Sequence, residues 1–157
     1  MKKLHLLRHA KTEQNSISGR DFDRELRAKG IQQAKKLGER LGDQLKGASV
    51  ICSSAKRTKQ TLELIKRHTS LKNITYLDGL YLASSEEIEK IIIRQQNTND
   101  ELLIIGHNFG LSDFAGTAIN TDIYLRTCEY LLIEIDIDDW IHYHPKKGTA
   151  ISKYRPE

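Results

Sequence analysis

Leu4-His5-Leu6-Leu7-Arg8-His9-Ala10 is a short apolar run that closes on an arginine and a histidine, and its reading decides the fold. A guanidinium fork grips phosphate, and a neutral imidazole attacks phosphorus. Two further apolar, strand-like runs end in similar chemistry. Arg57 lies beyond Ser49-Val50-Ile51-Cys52, and His107 follows Leu102-Leu103-Ile104-Ile105-Gly106. Three strand ends therefore deliver two arginines and two histidines. Ligands of an open parallel α/β sheet bind in the crevice beyond the carboxyl ends of the strands, which is where these residues fall.

Between the strands the period changes to that of helices. From Lys29 to Leu45 the apolar residues Ile31, Ala34, Leu37, Leu41 and Leu45 recur at helical spacing, and Gly47 stops the helix. The polar segment from about Lys11 to Arg27 has no period and reads as a loop. Ser53 and Ser54 are natural N-caps for a helix through about His68, with Arg57 in its first turn. Ser84 and Glu87 form a capping-box pattern ahead of Ile88, Ile91 and Ile92. Asn108 is placed to cap a helix carrying Leu111, Ala115 and Ala118. The last third reads as two strands, Cys128 to Ile135 and Trp140 to His144, joined by an Asp-rich turn at Asp136 to Asp139. The expected fold is a three-layer α/β/α sandwich with a mostly parallel central sheet and an antiparallel addition near the C-terminus. Residues 1–157 make one domain.

Composition bounds the function more loosely. The 157 residues are 38% hydrophobic, enough for one core, and carry a net charge of +4. That charge favours anionic ligands without separating a phosphoprotein from nucleic acid, and much of it is solvated surface. Cys52 and Cys128 lie in apolar segments and read as buried free thiols of a reducing compartment. His5 and Arg8 interrupt the N-terminal apolar stretch before it could serve as a signal segment, and no run reaches transmembrane length. A cytoplasmic monomer with neither membrane nor nucleic-acid partner is expected.

Leu7-Arg8-His9 resembles the signature of the histidine phosphatase superfamily, the phosphoglycerate mutase-like fold. Asp23-Arg24-Glu25-Leu26 with Gly30 and Gln33-Ala34 is similar to the loop and helix that follow it in that family. Ser53-Ser54-Ala55-Lys56-Arg57-Thr58-Lys59-Gln60-Thr61 resembles its second motif, and Gly106-His107 its third. The compact length, the short segment between the second and third motifs, and Ala10 resemble most the SixA-type phosphohistidine phosphatases. The resemblance implies that His9 is the nucleophile, forming a covalent phosphohistidine that water hydrolyses. It also implies that Arg8 and Arg57 cradle the phosphoryl oxygens, that His107 donates as imidazolium, and that Asn15 is a further phosphate contact. No metal or cofactor is called for. His142 and His144, at i and i+2 of the last expected strand, have metal-ligand spacing but no third ligand in sequence. His5 and His68 read as structural.

Substrate class turns on a missing acid. Phosphomonoesterases of the family resembled carry a glutamate shortly after the third strand to protonate the departing alkoxide. Here the comparable stretch is Tyr76-Leu77-Asp78-Gly79-Leu80-Tyr81-Leu82-Ala83, and Tyr81 falls closest to that position. An imidazole protonated on its far nitrogen departs neutral and needs no such acid. The expected activity is removal of phosphate from a histidine-phosphorylated protein. The alternatives are a small-molecule phosphomonoesterase using Asp78, Glu86 or Glu87, and a catalytically silent phosphohistidine-binding adaptor.

Overall fold

A computed structural model describes residues 1–157. Six strands form one sheet: β1 (Lys2–Arg8), β2 (Ser49–Ser53), β3 (Lys72–Leu77), β4 (Glu101–Gly106), β5 (Tyr130–Ile135) and β6 (Gly148–Tyr154). Their order is β3-β2-β4-β1-β5-β6; the first four run parallel, β5 runs against them, and β6 runs against β5. Four helices cover it: α1 (Ala28–Leu45), α2 (Lys56–Ile65), α3 (Ser85–Ile93) and α4 (Gly110–Ile119).

Strand alternation divides the core into two. Leu4, Leu6, Leu102 and Ile104 face α3 and α4, meeting Ile88, Ile92, Leu111 and Phe114. Leu7, Val50, Leu103 and Ile105 face the other way, onto Ala34, Leu37, Leu41, Leu62 and Ile65 of α1 and α2. Burying a Leu or Ile side chain contributes roughly 1.5–3 kcal/mol, so the central strands β1 and β4, buried on both faces, anchor the residues at their ends. The arrangement is the expected three-layer α/β sandwich with an antiparallel end.

Four local expectations need correction. Ile31 is exposed; the buried face of α1 runs through Gly30, Gln33, Ala34, Leu37, Gly38, Leu41, Gly42 and Leu45. Trp140–His142 is a 3-10 turn rather than a strand, because the indole of Trp140 is fully buried and donates to the Asn99 carbonyl. The final strand is instead Gly148–Tyr154, an edge strand whose middle residues face solvent. Neither Ser53 nor Asn108 caps a helix through its side chain. The N-caps are Ala55 and Phe109, while the Ser53 hydroxyl meets His107 and the Asn108 amide is bonded to the Leu125 carbonyl and the Ser112 hydroxyl. The capping box at Ser84 and Glu87 forms as expected. Cys52 and Cys128 are buried and unpaired, and burial pushes both thiols up to about 12. No helix is long and apolar enough to cross a membrane.

Candidate active site

The ends of β1, β2 and β4 meet at one point, because β1 and β2 both flank β4 in parallel. The His9 N–H donates to the Gly106 carbonyl (3.2 Å), which locks the end of β1 to the end of β4. Thr61 supplies a second tie: its Oγ1 accepts from the Ala10 N–H (3.1 Å) and donates to the Arg57 carbonyl (2.8 Å). Gln60 accepts from the Leu26 N–H (2.7 Å) and holds down the loop that follows His9. The Gln-Thr pair thereby fastens the histidine loop to the helix that carries Arg57.

His9 is almost fully buried, and its Nδ1–H donates to the Ala10 carbonyl (2.8 Å). That bond fixes the tautomer and leaves Nε2 unprotonated, with its lone pair as the acceptor. Arg57 Nε–H points at the same Nε2 from 3.3 Å. Burial lowers the His9 pKa well below its ordinary value, assisted by His107, Arg57 and Arg8 and opposed by the Ala10 carbonyl. The ring is neutral at physiological pH, as a nucleophile requires.

His107 lies with its ring centroid 5.3 Å from that of His9. Its Nε2 is 2.7 Å from Ser53 Oγ, and its buried Nδ1 has no partner in the protein. Ser53 Oγ accepts from the Ala55 N–H (3.3 Å), and His107 Nε2 is the one acceptor its own proton has, so the arrangement that satisfies the hydroxyl has it donating to the ring. The His107 proton must then sit on Nδ1. Burial first, then Arg57, holds this imidazole down at about 3. The expectation of an imidazolium is corrected for the free site: two guanidinium groups and burial keep His107 neutral, and it offers an N–H donor instead of a charge.

The arginines differ in how far they are committed. Arg8 Nη1–H donates to the Leu125 carbonyl (3.1 Å) and lies 3.4 Å from the Tyr124 hydroxyl, while its buried Nε has no partner. Arg57 is buried, and Asp21 accepts one N–H from each of its terminal nitrogens: the carbonyl from Nη1 (2.8 Å) and Oδ2 from Nη2 (2.9 Å). Tyr81 also donates to that carboxylate and turns its ring edge toward His107. Burial pushes Asp21 up, but hydrogen bonds from Tyr81 and Arg57 outweigh it and bring the carboxyl down to about 2.

Arg8, His9, Arg57 and His107 are thus brought together at the ends of β1, β2 and β4. Asn15 does not join them; it is exposed and lines a surface hollow with Arg20, Asp21 and Arg24. Asp78 is exposed at the first residue of a 3-10 turn, and the Glu87 side chain is spent on its capping box. His142 pairs with Asp138, and no three His, Cys, Asp or Glu side chains cluster as a metal site would need. Sequence reasoning missed Asp21 and took Ser53 for a cap. Asp21 sits in a polar loop that carries no periodic signal, and only folding brings it onto Arg57.

Residues 4–100 match the model for the histidine phosphatase superfamily, branch 1. The chain belongs to this superfamily. His107 lies past the matched segment, so its place in the site rests on the geometry above. An uncharacterized chloroplastic protein of Arabidopsis thaliana is 28% identical, over 88% of this chain and 69% of its own length. Among solved structures, a candidate phosphohistidine phosphatase SixA from Nakamurella multipartitia superposes with a TM-score of 0.85 at 21% identity, covering 99% of this chain and 96% of that one. A protein histidine phosphatase SixA complexed with tungstate gives 0.82 at 17% identity, covering 98% and 96%. At these identities the superpositions establish the superfamily fold.

Proposed function

We propose that this superfamily member is a phosphohistidine phosphatase acting on a histidine-phosphorylated protein. The observation that carries the reading is a neutral, unprotonated His9 Nε2, met by a single N–H of Arg57, in a site whose carboxylate, Asp21, is held ionised against the same arginine. Such a site has a nucleophile and no proton for a leaving alkoxide. His9 Nε2 attacks phosphorus, and the bond from phosphorus to the substrate imidazole breaks. The imidazole leaves neutral because its far nitrogen already carries a proton. Water then attacks the phosphoryl group on His9, releasing inorganic phosphate and regenerating the imidazole. Arg8, the Nδ1–H of His107 and the Arg57 fork stabilise the charge spread over the phosphoryl oxygens.

Structural kinship with SixA proteins agrees with this substrate class. A phosphomonoesterase would need a protonated acid near Tyr81, where Asp78 is exposed and Asp21 is ionised. A silent adaptor would have no use for a nucleophile left unprotonated by a fixed tautomer. Rapid quench with ³²P-labelled phosphohistidine should trap label on His9, and His9→Ala should lose it together with turnover. Phosphohistidine should exceed phosphoserine in kcat/KM by a factor of about 10² to 10⁴, the usual worth of a general acid. Comparable rates on the two substrates would overturn the assignment.

A further inference from the structure

Lys11, Arg27 and Lys29 lie together where α1 begins, Arg155 follows β6 at the same end of the sheet, and no carboxylate pairs with any of them. The fold places all four at the active end of the sheet. Lys11 is two residues past His9, and its carbonyl accepts from the N–H of Arg27, the residue that opens α1 (3.1 Å). Arg155 follows the last residue of β6, which pairs with the first residue of β5. Its Nε–H donates to the Thr127 carbonyl (2.9 Å), two residues from the Leu125 carbonyl held by Arg8. One loop is therefore gripped by a phosphate-site arginine and by an arginine of the cluster. The Lys11 ammonium is pulled below its ordinary value by Arg27 and Lys29, then by burial and Arg155.

We propose that Lys11, Arg27, Lys29 and Arg155 form a docking surface for a carboxylate-rich face of the phosphorylated protein, holding it while its phosphohistidine enters between Arg8 and Arg57. The inference rests on the proposed function and adds the chemistry of the partner. The occupant is a protein because the site beside the cluster is read as taking a histidine-phosphorylated one, and the same loop exposes Tyr124 beside Phe109, with ring centroids 6.4 Å apart, next to Arg8. Tyrosine and phenylalanine are enriched where proteins meet. Complementary charge of this kind acts mainly on encounter and register.

The test uses two synthetic peptides with a central phosphohistidine, one flanked by glutamates and one by glutamines. In low salt the acidic peptide should be turned over with kcat/KM about tenfold higher or more. The ratio should fall toward one in about 0.5 M NaCl, where the Debye length is only a few ångströms. It should also fall toward one in Lys11→Gln/Lys29→Gln, while turnover of free phosphohistidine stays at the wild-type level and reports intact folding. A ratio near one for the wild type in low salt, or an equal loss on free phosphohistidine, would overturn the docking surface. Fluorescence anisotropy of the unphosphorylated acidic peptide separates the two readings. If it binds wild type and not the double variant while neither phosphopeptide is hydrolysed, the proposed reaction fails and the surface stands. A single-stranded oligonucleotide that displaces the peptide at lower concentration would assign the surface to nucleic acid and overturn the proposal.

Discussion

Ser53→Ala tests the protonation state assigned to the site, because it removes one hydroxyl and touches neither the nucleophile nor the arginines. In the native site the Ser53 hydroxyl donates to His107 Nε2 and obliges the ring to carry its proton on Nδ1, the atom with no protein partner. The substitution leaves a buried ring nitrogen without its hydrogen bond, which costs about 1–3 kcal/mol of stability. The catalytic effect is bounded differently. The donor to phosphate survives, and only the bias toward the productive tautomer is lost, worth at most the net hydrogen bond of about 0.5–1.5 kcal/mol. That corresponds to a fall of roughly twofold to tenfold in kcat/KM. His107→Ala, which deletes the donor, should cost about 10² to 10³. The assay is kcat/KM on phosphohistidine, with long-range ¹H–¹⁵N correlation of the His107 ring to read the tautomer. A wild-type ring protonated on Nε2, or a Ser53→Ala variant as slow as His107→Ala, would refute the assignment.

Other consequences follow from the same site. His9 and His107 have folded pKa values below 6.5, so below that pH the unfolded chain binds protons the folded one excludes; stability should decline as pH falls from about 6.5, and Tm in His107→Asn should decline less steeply than wild type over pH 7 to 5. An equal slope would show that His107 titrates freely in the fold. Asp21→Asn should bind tungstate more tightly, since the anion no longer shares Arg57 with a carboxylate, and should leave phosphoserine hydrolysis negligible; loss of aryl ester hydrolysis with phosphohistidine turnover intact would reveal Asp21 as a proton donor. A Cβ at Gly110 would lie 1.7 Å from the Ala83 carbonyl oxygen, so Gly110→Ala should destabilise by about 3 kcal/mol in chemical denaturation, and an unchanged midpoint would contradict the packing at the start of α4.

The four converging residues were legible because each ends a strand or opens the helix after one, positions that the apolar runs mark without ambiguity. That the acceptor for His9 Nδ1 is the Ala10 carbonyl is a fact of the folded loop, since a neutral nucleophilic imidazole demands an acceptor without saying which. What stayed hidden depends on packing. Gly30, Gly38 and Gly42 line the buried face of α1, with Gly38 and Gly42 against His68, and glycine carries no hydrophobic signal, so Ile31 on the neighbouring stripe looked like core. The stretch at Trp140 has the composition of a strand, yet burial of a single indole folds it into a turn, while the real last strand has too few apolar residues to announce itself.

Ser53 and Asp21 show why a motif underdetermines its site. Serine before a helix reads as a cap because its hydroxyl commonly accepts from an early helical N–H, and here it accepts from Ala55 as well. The same oxygen has a proton to give, and only the position of β4 beside β2 brings His107 within 2.7 Å to receive it. Asp21 is likewise an ordinary loop acid until the fastening of that loop by Gln60 brings it onto Arg57. It then engages one N–H on each terminal nitrogen of the guanidinium and leaves the second N–H of each for the incoming phosphoryl group. The two anions therefore share Arg57, and the carboxylate, by repelling the phosphoryl dianion across that shared group, sets how tightly the site holds it.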